Sequence, residues 1–190
     1  VDIQKTKFEK KKSSFYIIYS GSYFYKPNKD AIDFLNHQIM PNLIKKFPKL
    51  KLVLTGGGYK KRFPWLVNKN IVSKKNLYNL IFNAKCMCIP LKFGSGTRIK
   101  IIEALALGTI VISSSRGIEG IRMIKKNPPF IANDKKSIIK KLSIILKDFH
   151  KIKKKSQNDR FFYKKTYSMK NITYNFINSN LSKYFNEYQN

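Results

Sequence analysis

The sequence predicts an α/β domain in which a parallel β-sheet carries helices on both faces and a helical tail follows. Three observations carry that expectation. Short apolar runs alternate with stretches whose apolar residues recur at helical spacing. The runs show little polar alternation, as in strands whose two faces are both covered. They also run out into glycines or glycine-rich loops, where a chain leaving a sheet turns.

The elements follow in order. Residues 1–14 open on Val1 and are polar and Lys-rich, and are expected to be a linker from a preceding domain outside this chain. The run 15–20 (FYIIYS) reads as a buried strand ending at Gly21. After KPNKD comes a helix with Ala31, Phe34, Leu35, Ile39, Leu43 and Phe47 at helical spacing, which Pro41 is expected to kink or split. Residues 50–55 form a second strand closed by Gly56, Gly57 and Gly58, and 70–72 a brief third one. A helix over 75–84 leads to a fourth strand over 86–91. The loop KFGSG gives way to a helix from about Thr97 to Leu107, stopped by Gly108. Strands over 109–113 and 130–132 follow, then an amphipathic helix over 137–149. Helical patterning continues over 151–164 and 168–188. The domain is therefore drawn as 15–150 with a helical tail over 151–190. Alternating strands and helices imply a doubly wound, Rossmann-like sheet whose ligand sits beyond the carboxyl ends of the strands.

Composition narrows the function. No apolar run reaches the ~18–20 residues of a membrane-spanning helix, and no signal-peptide pattern opens the chain. Cys86 and Cys88 stand in an apolar run without a second pair, so small buried residues are expected there rather than a disulfide or a metal site. His37 and His150 lie on predicted helices in the basic surround and are not expected to carry chemistry. The formal charge of +29 is spread over nearly every segment beside abundant Asn and Ile. A solvated basic surface accounts for it without function. A functional share would favour anionic membrane surfaces or phosphorylated substrates.

The chemistry concentrates in PLKFGSGTRIKIIEALALG, residues 90–108. A strand ends, glycines turn the chain, and a helix N-terminus follows, where bared backbone N–H groups receive phosphate. Gly94, Ser95, Gly96 and Thr97 form that turn, with Arg98 and Lys100 supplying positive charge. Cations at a helix start oppose its dipole, so an anionic ligand is the economical reading. Glu103 is the only carboxylate between Asp33 and Glu119. Beside a phosphate site it calls for a hydrogen-bond donor, and a ribose diol would serve.

This segment resembles the donor-binding motif of the retaining glycosyltransferases of family four, which have the two-domain GT-B architecture. Many members carry two glutamates separated by seven residues, then an Ala-rich helix, Gly and a strand. Glu103-Ala104-Leu105-Ala106-Leu107-Gly108-Thr109-Ile110-Val111 is similar to the second half of that pattern. The first glutamate falls at Ser95, a departure shared with a branch that reads Phe-Gly-Ser-Gly-Thr-Arg-x-Lys, as residues 93–100 do. Tyr19-Ser20-Gly21-Ser22 and Lys26-Pro27-Asn28 resemble the loop where members place an Arg and a Lys on the diphosphate. Lys26 fits the Lys position and Ser22 stands where the Arg would be. The glycine turn after 52–55, the 70–84 segment beside the base, and the 115–120 loop resemble the family more loosely.

The resemblance implies the C-terminal, nucleotide-sugar-binding half of a glycosyltransferase, inactive alone. Donor binding falls to Gly21, Ser22, Lys26, Gly94, Ser95, Gly96, Thr97, Arg98, Lys100 and Glu103, and catalysis to Arg98, Lys100 and Glu103. No cofactor or metal is expected. The donor is a nucleoside-diphosphate sugar of undetermined base and sugar. The acceptor, a cell-envelope glycan or glycolipid, would lie on the absent domain, and residues 167–188 would cross back to that domain or pack on their own. A cytoplasmic enzyme, peripheral at the inner membrane face, is the corresponding location. Two rivals stand beside this reading. A non-catalytic scaffold is permitted by Ser95, and a nucleic-acid module is suggested by Tyr and Phe interleaved with Lys over 160–165. The diffuse charge and lack of a binding motif weigh against the latter.

Overall fold

A computed structural model describes residues 14–94, 98–124, 128–168 and 170–173. Six parallel strands form one sheet in the order β3-β2-β1-β4-β5-β6. They are β1 (Tyr16–Ser20), β2 (Lys51–Thr55), β3 (Leu66–Asn68), β4 (Cys86–Ile89), β5 (Val111–Ser113) and β6 (Phe130–Ile131). The chain winds outward from β1 through β2 to β3, then restarts at β4 on β1's other side. The topological switch point thus lies between β1 and β4, with registers Ile17↔Cys86 and Ile18↔Met87.

The centre of the sheet is apolar because helices cover both faces. Ile17, Ile18, Tyr19, Cys86, Met87 and Ile89 are fully buried, and each such aliphatic side chain contributes roughly 1.5–3 kcal/mol. One face is covered by α1 (Lys26–Phe34), α2 (Met40–Ile44) and α5 (Lys135–Lys147). The other carries α3 (Lys74–Asn83), α4 (Ile99–Ala106) and α6 (Phe149–Thr166). Cys86 and Cys88 are buried free thiols.

Several boundaries differ from the expectation, each for a local reason. The helix opens at Lys26 itself, because Pro27 suits the first turn. Pro41 does not split it. A π-helical segment, Leu35–Ile39, joins α1 to α2, with the Met40 N–H reaching five residues back to the Leu35 carbonyl. That wider turn absorbs the carbonyl clash proline brings. The third strand is Leu66–Asn68, not 70–72. Asn68 ends it: its Oδ1 accepts from the Asn70 N–H at 3.0 Å, and Asn70 takes a φ of 50° that no strand allows. The fourth helix begins at Ile99, which leaves Arg98 at its N-cap rather than in its first turn.

Helix α6 starts at Phe149, two residues before the expected tail boundary, and packs on α4 with Tyr163 buried. The expected 168–188 helix lies largely outside the described residues. Among the described residues no helix is long and apolar enough to cross a membrane.

Candidate functional site

The loops leaving β1 and β4 meet at the switch point, and the sequence there is shaped by close backbone approach. Gly56, at the end of β2, has φ 113°, and a Cβ on it would lie 2.4 Å from the Gly21 carbonyl carbon. The same addition on Gly21 would lie 2.7 Å from both the Lys100 Nζ and the Asn28 Nδ2. Only two glycines back to back let β1 and β2 end together and leave room above β1 for a lysine.

That lysine is the centre of the site. Lys100, near the start of α4, extends past the end of β1 to the first turn of α1, where its Nζ donates to Asn28 Oδ1 at 2.9 Å. It also sits 4.9 Å from the centroid of the Tyr19 ring. Asn28 is held in turn: its Oδ1 accepts from the Tyr19 hydroxyl at 2.7 Å, and its Nδ2 donates to the Ser22 carbonyl at 2.9 Å. Among the described residues the ion pairs join Lys26 to Asp30 and Arg116 to Glu119, and neither includes Lys100. Burial, with a smaller contribution from Arg98, lowers the Lys100 ammonium from 10.5 to about 8. It remains mostly protonated at neutral pH, a half-buried cation facing neutral groups.

Arg98 ties two loops together. One guanidinium nitrogen donates to the Gly94 carbonyl at 2.8 Å and reaches the Arg116 carbonyl at 3.4 Å. The β4–α4 loop is thereby drawn toward the loop after β5. A Cβ on Gly94 would meet Pro27 at 3.1 Å and the Tyr25 hydroxyl at 3.3 Å, so this turn also lies against the start of α1. Further along α4, the half-buried Glu103 accepts at Oε1 from the Tyr78 hydroxyl of α3 at 2.8 Å. Lys100 and Glu103 are one helical turn apart yet make no ion pair, since each is bonded to a different neighbour.

The other expected residues are placed unevenly. Lys26 is exposed at the start of α1, in an i,i+4 pair with Asp30 at 3.1 Å, an interaction that contributes less than about 1 kcal/mol. Ser22 uses its Oγ within its own turn, accepting from the Phe24 N–H at 3.3 Å. Ser95, Gly96 and Thr97 lie outside the described residues. Gly21, Lys100 and Glu103 gather along α4 and the end of β1, with Arg98 and Gly94 on the adjoining loop. Tyr19, Asn28 and Tyr78 complete the arrangement and were not singled out from the sequence as site residues. Tyr19 and Asn28 fall in the segments that resemble the family's first-strand loop and Tyr78 in the 70–84 segment that resembles the part beside the base, but no spacing singled out their side chains.

Strand order and the loops gathered at its reversal define a doubly wound nucleotide-type α/β domain. The chain belongs to the glycosyl transferases group 1 family, whose model matches residues 14–148. No curated protein matches it in sequence. Its fold is that of the C-terminal domain of GT-B glycosyltransferases. It resembles sucrose-phosphate synthase from Thermosynechococcus elongatus with TM-score 0.70 and 16% identity, over 90% of this chain and 46% of that one. It resembles TarM with TM-score 0.66 and 15% identity, over 91% of this chain and 37% of that one. The C-terminal domain of LpcC from Francisella tularensis aligns with TM-score 0.58 and 14% identity, over 80% of this chain and 85% of that domain. This chain thus spans less than half the length of the first two.

Proposed function

We propose that this chain is the donor-binding part of a retaining glycosyltransferase that moves a sugar from a nucleoside-diphosphate sugar to a glycan or glycolipid acceptor held elsewhere in the protein. The observation that carries the reading is Lys100: a half-buried, desolvated ammonium at the switch point, facing Asn28 and Tyr19 rather than a carboxylate. A diphosphate is the partner such a group lacks. In this scheme Lys100 and Arg98 stabilise negative charge as the diphosphate departs, and Lys26 adds to them once it leaves Asp30. Glu103 receives the hydroxyls of the ribose. The scheme uses no metal and no cofactor. The net charge of +29 suits an enzyme working at an anionic membrane surface.

The test is calorimetry with UDP, GDP and ADP on the wild-type chain and on Glu103→Ala. One nucleoside diphosphate is expected to bind selectively. The substitution should weaken it tenfold to a hundredfold, about 1.5–3 kcal/mol for a charge-assisted hydrogen bond. A folded chain that binds none of the three would sink the reading and favour a non-catalytic scaffold.

A further inference from the structure

Glu103 and Lys100 present a problem that the fold solves with two neutral groups. Their charges are opposite and three residues apart on α4, a spacing at which side chains meet. Left to themselves they would neutralise each other and leave neither free for a ligand. Lys100 instead runs to the first turn of α1, where Asn28 accepts its hydrogen bond at 2.9 Å. Glu103 turns toward α3, where the Tyr78 hydroxyl donates to Oε1 at 2.8 Å. Tyr78 itself is buried to 5% exposure, so its ring is fixed by packing and its hydroxyl is a stationary donor. A glutamate on a helix turns about three side-chain bonds, and a single fixed donor removes most of that freedom.

We infer that Tyr78 is a positioning residue for the ribose of the donor, holding the Glu103 carboxylate on the α3 side and away from Lys100. One carboxylate oxygen is occupied by Tyr78. Among the described residues no other hydrogen bond reaches Glu103, so its second oxygen is available to a sugar hydroxyl. The inference rests on the donor reading above. It adds that recognition of a ribonucleotide over an analogue without ribose hydroxyls depends on a residue that need not touch the ligand.

The experiment compares wild type, Tyr78→Phe and Glu103→Gln by calorimetry on the full chain. The probes are the nucleoside diphosphate that wild type prefers among UDP, GDP and ADP, and its 2′,3′-dideoxy counterpart. Wild type is expected to prefer the ribose form about tenfold or more. Tyr78→Phe keeps the buried ring and should cut that preference roughly threefold to tenfold while leaving dideoxy affinity nearly unchanged. Glu103→Gln should cut the same preference. An unchanged preference in Tyr78→Phe overturns the inference, as does an equal weakening of both probes, which marks a merely structural role. Wild type that binds both probes equally overturns the inference and leaves diphosphate binding intact. Wild type that binds neither overturns the donor reading and the inference with it.

Discussion

Replacing Lys100 by methionine separates what its charge does for folding from what it does for binding. The substitution keeps an unbranched stem of similar length above Tyr19 and removes only the ammonium. In the free protein that ammonium is unfavourable, because its acid constant moves from 10.5 to about 8 on burial. At about 1.4 kcal/mol for each factor of ten, the cost is about 3 kcal/mol at most. The sign follows from proton counts. Between about pH 8 and pH 10.5 the unfolded chain holds the proton more firmly than the folded one. Stability therefore rises with pH across that window, and the full penalty applies below it. Asn28 loses one donor in the variant, but its Oδ1 still accepts from Tyr19 at 2.7 Å. Lys100→Met is thus expected to raise the unfolding free energy at pH 7 by about 1–3 kcal/mol, with the gain fading toward pH 10.5. The same variant should bind a nucleoside diphosphate at least about tenfold more weakly, since a charged hydrogen bond is lost. Urea unfolding at both pH values and calorimetry at neutral pH read the two effects. A variant less stable than wild type refutes the burial argument, and one that binds the diphosphate equally well refutes the phosphate role.

Two further outcomes follow from the same geometry and charge. Gly56→Ala places a Cβ 2.4 Å from the Gly21 backbone at a φ of 113°. It should cost about 2 kcal/mol or more in urea unfolding, and a neutral result would mean the two loops are not back to back. Sedimentation with vesicles containing phosphatidylglycerol should capture the chain at about 0.1 M salt and release it at about 1 M. Equal capture by purely zwitterionic vesicles would remove electrostatics as the cause.

Much of the scaffold was legible in the sequence because it is local. Continuous apolar runs at 15–20, 50–55 and 86–91 suit strands covered on both faces, and Leu105 to Val111 announces a helix, its glycine stop and the next strand. The loop between β4 and α4 stood out by its glycines followed by cations, which led to the expectation of an anionic ligand. Residues 95–97 lie outside the described residues and Arg98 stands at the N-cap. Element ends were less so. Asn68 ends β3 through a side-chain bond to Asn70, and the Pro41 clash is absorbed by a π-turn rather than a break.

Charge, residue type and spacing thus determined by themselves the α/β class and the choice of Lys100 and Glu103 as candidates, while strand order and the switch point between β1 and β4 came from the fold. The tertiary structure alone decided which groups these two face. Asn28 lies 72 residues from Lys100 in the chain and Tyr78 lies 25 from Glu103. Neither pairing leaves a periodic trace, because each is created by helices and a strand end packing across the sheet. The physical consequence is also tertiary: desolvation of the ammonium and fixation of the carboxylate exist only once α1, α3, α4 and the end of β1 have closed around them.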